Sequence, residues 1–263
     1  MSGLLLRRLL NPAAFALREA LQFRRAGYRE GPLDLSRVSP RLRAQLEAPR
    51  ARALAEAHGL DLLAPRLGHA AYTKSLFVID LFERLGGQIR IPTGACAVLD
   101  VGCKNFECAP GLHAAVARRC GGEVSLTGSE IDAYPVYRNL HSRADAAHYY
   151  LGLLPGEHRY LPGDIRAHAG RYGLITWLFP FVTPSPLLWW GLPGRCFAPE
   201  EVFRHVLGLL APGGTLLVAN YTPEEVEAQA ALFAGAGLQA EQSVIEEPIG
   251  RAGQVIYAFT HRA

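Results

Sequence analysis

A short apolar run ends on an acid and a glycine at Ala97-Val98-Leu99-Asp100-Val101-Gly102. A polar loop, Cys103–Cys108, then leads to Pro110 and the helical pattern of Leu112–Arg119. The order of strand, sharp turn and helix start is how an α/β sheet presents a nucleotide-like ligand at its carboxyl edge. Gly102 lets backbone approach such a ligand with no Cβ in the way. Further acids follow two later strand candidates: Glu130 and Asp132 after Val124–Gly128, and Asp164 after Arg159–Pro162. His113, His141, His148, His205 and the pair Asn220-Tyr221 also fall near strand or helix ends, but none of them stands out as a general base. The five cysteines lack C-x-x-C spacing, so no metal site is expected. Lysine occurs only at 74 and 104 among 27 basic residues. Arginine does not replace lysine neutrally, so a lysine kept at 104, inside the loop, is suggestive.

The elements that must position these residues change character along the chain. Residues 3–26 alternate Leu, Phe and Ala with Arg at helical spacing, and Leu6, Leu9, Leu10, Ala13, Leu17 and Leu21 share a face. Further helices are expected at about 40–58 and at 70–86, where Gly86-Gly87 ends a largely apolar segment. From residue 95 strands and helices alternate. Strands are expected at Ala97–Val101, Val124–Gly128, Arg159–Pro162, Leu174–Leu178, Thr215–Ala219, 241–247 and 254–260, with helices at 110–119, 133–148, 199–210 and 223–236. Such alternation predicts a mostly parallel sheet covered on both faces. The last two strands join through Pro248-Ile249-Gly250-Arg251-Ala252-Gly253, a hairpin-like connection that reverses one of them. The expected fold is therefore α/β: a doubly wound, mostly parallel seven-stranded sheet with a C-terminal antiparallel hairpin. An N-terminal helical extension over 1–91 precedes it.

Four motifs in this order resemble the class I S-adenosylmethionine-dependent methyltransferases, over about residues 92–262. They are Val98-Leu99-Asp100-Val101-Gly102, then Leu126-Thr127-Gly128-Ser129-Glu130-Ile131-Asp132, then Leu161-Pro162-Gly163-Asp164-Ile165. The fourth is the Pro212-Gly213-Gly214 turn before Thr215-Leu216-Leu217-Val218. The resemblance implies a Rossmann-like methyltransferase domain over 92–263 and S-adenosylmethionine as cofactor. It implies that Glu130 holds the ribose hydroxyls, with Asp132 as the alternative. Asp164 would accept from the adenine amino group, and Ile165 would pack on the ring. The N–H groups after Gly102 and the following helix start suit the methionyl carboxylate, and Lys104 could pair with it. Asp100, Cys103 and Ile131 complete the implied cofactor-binding set.

The chain departs from the family at Lys104 and Phe106, which stand where the second and third glycines of acid-x-Gly-x-Gly-x-Gly would fall. A dinucleotide needs the second glycine for its pyrophosphate, so the departure argues against a nicotinamide or flavin dinucleotide more than against a cofactor lacking phosphate. Phe106 either leaves the pocket open or fills it. A filled pocket would make the chain a non-catalytic binding or scaffold protein on the same fold, which is the alternative reading. After the fourth strand, Trp177-Leu178-Phe179-Pro180-Phe181 through Trp189-Trp190 carries no charge. A stiff apolar wall or lid is expected there, formed by Trp177, Phe179, Pro180, Phe181, Trp189 and Trp190. That composition suits an apolar small-molecule or lipid acceptor.

Composition bounds the rest. With 49% hydrophobic and 19% charged residues the chain is globular, and a net charge of +3 is too small to indicate nucleic acid. The charge is uneven: residues 1–92 hold 15 Lys+Arg against 8 Asp+Glu, and residues 93–263 hold 12 against 16. A basic amphipathic helix within 1–26 suits either an anionic membrane surface or a cap on the protein's own core, and docking on the core is the expected role. Arg7 and Arg8 interrupt the opening leucines too early for a signal peptide. Reduced cysteines and a cytoplasmic location are the expectation.

Overall fold

The computed structural model describes residues 3–263. Its strands are Cys96–Val101 (β1), Val124–Glu130 (β2), Arg159–Pro162 (β3), Tyr172–Leu178 (β4), Leu210–Asn220 (β5), Glu241–Glu246 (β6) and Val255–Arg262 (β7). They form one sheet in the order β3-β2-β1-β4-β5-β7-β6. All neighbours are parallel up to β5, and β7 runs antiparallel to both β5 and β6. The reversal at the C-terminal hairpin is the one the sequence predicts. The acids at the ends of β1 and β2 therefore emerge on adjacent, parallel strands at one edge, with Asp100 beside Gly128 in register.

The helices are Gly3–Leu21 (α1), Pro40–Glu47 (α2), Pro49–Ala57 (α3), His69–Leu85 (α4), Ala109–Cys120 (α5), Arg143–Leu151 (α6), Pro184–Trp189 (α7), Pro199–Leu209 (α8) and Pro223–Gly235 (α9). Three differ from the sequence expectation. The helix at 40–58 is broken, because Pro49 has no N–H to continue α2 and instead begins α3. The helix at 133–148 starts only at Arg143. Pro135 and a Val136–Ser142 bridge hold the preceding loop, and Ser142 with Asp145 forms a capping box that fixes the start. The apolar wall after β4 contains α7.

Helices α4, α5 and α6 cover one sheet face, where Leu76, Ile79, Leu81 and Phe82 share a core with Val98, Leu126 and Leu174. On the other face Phe203 of α8 and Phe233 of α9 pack with Trp177, Leu216 and Phe259. Helix α4 thus lies within the sheet's own core although it precedes β1. Its close approach to α5 requires Gly111, where a Cβ would overlap the Ser75 backbone. Asp80, fully buried on α4, accepts from Arg50 of α3 (2.6 Å), Arg84 (3.0 Å) and the Ile249 N–H (3.0 Å). One carboxylate therefore ties three separated segments.

Helix α1 caps the protein, but not with the face that the leucine pattern marks. Leu4, Phe15 and Asn11 face α7, and the Asn11 amide donates to the Leu188 and Leu192 carbonyls, both at 2.9 Å. Arg18 forks onto Asp132 at 2.8 and 3.0 Å. Polar groups that need buried partners set the helix rotation. The Leu6, Leu9, Leu10, Leu17, Leu21 face is left outward.

Candidate functional site

Strand β1 delivers Asp100 into a fully buried position. There its carboxyl accepts from the Thr176 hydroxyl (2.7 Å) and faces the Cys108 thiol at 3.7 Å. Burial pushes the Asp100 pKa up to about 7. The loop that follows keeps the backbone of a glycine-rich turn with only the first of its glycines. Gly102, Lys104 and Phe106 have φ of 70°, 57° and 51°. A non-glycine residue in this left-handed region costs roughly 1–2 kcal/mol. The alternating conformation is thus retained at an energetic cost, and strain of this kind concentrates at functional sites.

Lys104 and Phe106 use that conformation differently. The Phe106 ring is fully buried beneath the loop, so tightly set over Gly128 that a Cβ there would fall 2.6 Å from its Cδ1. It belongs to the core and does not line the cavity above. Lys104 keeps its side chain in that cavity, while its N–H donates to Glu130 Oε2 (2.8 Å) and its carbonyl accepts from Tyr160 (2.7 Å).

The cavity measures about 580 Å³, within the usual range for small-molecule sites. Asp100, Gly102, Cys103, Lys104, Glu130, Ile131, Asp164 and Ile165 line one end. Trp177, Phe179, Pro180, Phe181, Trp189 and Trp190 line its wall, with Trp177 also packed on Phe203. Asp132 does not line it, being buried against Arg18. The N–H groups of Gly102 and Cys103 donate to the Ser129 carbonyl, at 2.8 and 3.0 Å. Together with the Lys104 N–H on Glu130, the first three loop amides are therefore committed to β2. The Lys104 ammonium is what the loop turns toward an anion.

Glu130 is buried, which raises its pKa, while Arg143 and two backbone N–H groups favour its carboxylate. Each oxygen retains a lone pair beyond the Lys104 and Asp132 amides. Asp164 starts the 3-10 turn Ile165–Ala167 and is gripped by Arg166, which lowers its pKa. Ile165 beside it is buried and apolar. Gly102 and Gly163 face open space, so no Cβ intrudes between these groups.

The same cavity holds a second group, outside the four motifs. Phe179, itself at φ 62°, stacks on Tyr221 with ring centroids 3.8 Å apart. Phe77 of α4 packs beside them, and the Arg251 guanidinium lies 5.2–5.3 Å from all three rings. Lys74 of α4 meets the buried Glu107, which Lys104 approaches at 3.9 Å. Burial and the neighbouring Lys104 push the Lys74 pKa down to about 7. The only two lysines in the chain thus converge on one cavity. Their rarity is the one sequence signal that could have found Lys74. Phe77 and Arg251 left none.

The histidines lie elsewhere. His113 packs on His158 with burial lowering its pKa to about 4, His205 reaches the His168 carbonyl, and His141 and His148 lie beside Asp145 and Ala144. None lines the cavity, whereas Tyr221 does. Among the described residues no cluster suits a metal ion, and all five cysteines are free.

No family model matches the chain, and no curated protein matches it in sequence. Solved structures do match. A SAM-dependent methyltransferase from Aquifex aeolicus superposes with TM-score 0.50 over 80% of this chain and 97% of its own, at 14% identity. A putative S-adenosyl-L-methionine-dependent methyltransferase from Methanococcus maripaludis gives 0.46 over 78% and 92%, at 12% identity. The plantazolicin methyltransferase BpumL, solved in complex with SAH, gives 0.43 over 84% and 93%, at 10% identity. The Aquifex structure, together with the strand order and the reversed β7, establishes the fold: this chain has the Rossmann-like fold of the class I methyltransferases.

Proposed function

We propose that this protein is an S-adenosylmethionine-dependent methyltransferase acting on an apolar small-molecule or lipid acceptor. The observation that carries this reading is the placement of Phe106. Its ring packs against Gly128 and away from the cavity, so the cavity over Gly102 stays open from Glu130 to Tyr221. The donor set fits the cofactor. Glu130 offers acceptor oxygens for ribose hydroxyls, and Ile165 offers an apolar shelf beside Asp164 for the adenine. Lys104 supplies the positive charge that the committed loop amides do not.

When bound, the cofactor supplies an electrophilic methyl group on a sulfonium. The chain's own residues align and dry the reaction. Phe179 and Tyr221, stacked at the ends of β4 and β5, give a rigid wall against which an acceptor is held, and the Trp189-Trp190 segment excludes water. In-line displacement gains much of its rate from such alignment and desolvation. The absence of charge from Trp177 to Trp190 is what favours an apolar acceptor over a base or amide.

Calorimetry and thermal unfolding with S-adenosylhomocysteine test the reading. Ligand at a hundred times its Kd is expected to stabilise the folded protein by about 2.7 kcal/mol. No heat and no rise in Tm at millimolar ligand would overturn it in favour of the non-catalytic alternative.

A further inference from the structure

The outward face of α1 has no partner in the fold. Leu9, Leu10, Leu17 and Leu21 are 57–68% exposed, with Leu5, Leu6 and Phe23 exposed beside them. Exposed leucines scattered singly need no explanation, but a continuous apolar stripe along a helix marks a contact surface. Next to it stands the half-exposed Trp189 of α7, with the Arg7 guanidinium 4.3 Å over its ring. Docking on α7 does not use this stripe, since Leu4, Asn11, Phe15 and Arg18 do that work.

Charge decides what covers it. Residues 3–29 carry Arg7, Arg8, Arg18, Arg24, Arg25 and Arg29 against the single acid Glu19. Arg18 and Arg24 are neutralised by Asp132 and Asp145. Among the described residues Arg7, Arg8, Arg25 and Arg29 make no ion pair with a carboxylate. A second copy of the chain would bring the same unpaired cations against one another. An anionic bilayer brings opposite charge to the arginines and an acyl boundary to the leucines, a combination that holds amphipathic helices in the interface plane. No described helix is long and apolar enough to cross a membrane.

We propose that α1 lies flat on anionic lipid, its leucine face embedded and its other face still clamped on α7. The inference stands on the exposed face and the charge, and holds whether or not the cavity transfers a methyl group. It has a consequence if the methyltransferase reading is right: Leu187 and Trp189 of α7, with Trp190 that ends it, line the cavity, so the lipid surface sits one helix away from its lid.

Co-sedimentation with phosphatidylglycerol vesicles and phosphatidylcholine vesicles, using the full chain, tests the proposal. Binding to the anionic vesicles is expected, at least tenfold weaker on the neutral ones and weakened by salt. Leu9→Glu with Leu17→Glu is expected to abolish binding while leaving the Tm and the response to S-adenosylhomocysteine unchanged, since both side chains are in solvent. Equal binding of the double variant, or no sedimentation with anionic vesicles, would overturn the proposal. So would a dimer in light scattering that the same two substitutions convert to monomer, because the face would then join two copies.

Discussion

At the residue scale the loop after Asp100 separates two roles that the sequence places side by side. Lys104 and Phe106 share a left-handed backbone, but only Phe106 is a core residue. Lys104→Gly removes the backbone strain and is expected to raise stability by up to about 1 kcal/mol, while weakening S-adenosylhomocysteine binding through loss of the ammonium. Phe106→Gly, at an equally strained position, is expected to lower stability by about 3–5 kcal/mol, because it empties a fully packed site. Urea unfolding of the two variants gives opposite signs if this assignment is right. Asp100 adds a pH dependence. Its folded pKa, near 7, lies above the ordinary carboxylate value, so the folded state holds a proton that the unfolded state has released. Stability from this group is therefore fully present below about pH 4 and is lost as pH rises through about 7. Asp100→Asn keeps the shape and is expected to flatten that slope in thermal melts between pH 4 and 8.

At the scale of elements, single polar side chains fix how helices meet the sheet. Asp80 joins α3, α4 and the connection before β7. Asp80→Ala leaves the Ile249 N–H without its acceptor and two arginines without their anion. A loss of about 3 kcal/mol is expected, read from denaturant midpoints. Asn11 plays the same part for the lid. Asn11→Leu leaves the Leu192 carbonyl unpaired and the Leu188 carbonyl with its local backbone donors alone, and faster hydrogen exchange over residues 184–192 than in the parent protein would report the loosened α7. Helix propensity could not reveal this. The leucine face of α1 scores as the one to bury, yet the face with one asparagine, one arginine and one phenylalanine is the one that docks, because α7 offers carbonyls and Asp132 offers charge at the matching places.

Across the whole molecule, the helices before residue 92 and the sheet after it share a core through α4. A chain starting at residue 92 would expose Leu112, Val116 and Ile256 where α4 now lies, and is expected to be insoluble. Removing residues 1–26 uncovers the small α1–α7 contact of Leu187, Leu188 and Leu192 and takes Arg18 and Arg24 from the buried Asp132 and Asp145. That truncation is expected to keep a single cooperative thermal transition at a lower Tm. The distribution of charge acts at this scale too. A basic N-terminal third on a slightly acidic body gives the molecule a side, and of the arginines without an ion pair Arg7 and Arg8 lie on α1, which bears the leucine face, while Arg25 and Arg29 follow it.

The sequence by itself determined the α/β alternation, the reversed hairpin and the strand-end positions of Asp100, Glu130 and Asp164. Period-2 and period-3.6 patterns, Gly and Pro punctuation and strand-end acids are local, and local rules suffice to place them. It also showed that only two lysines exist, without showing that they meet. What only the tertiary structure decided is where side chains from distant segments go: Phe106 down onto Gly128, Lys74 beside Lys104, Arg251 over three rings. The rotation of α1 belongs to the same class. These outcomes depend on which buried polar groups find partners and which cavities a side chain can enter, and neither is encoded within a window of neighbouring residues.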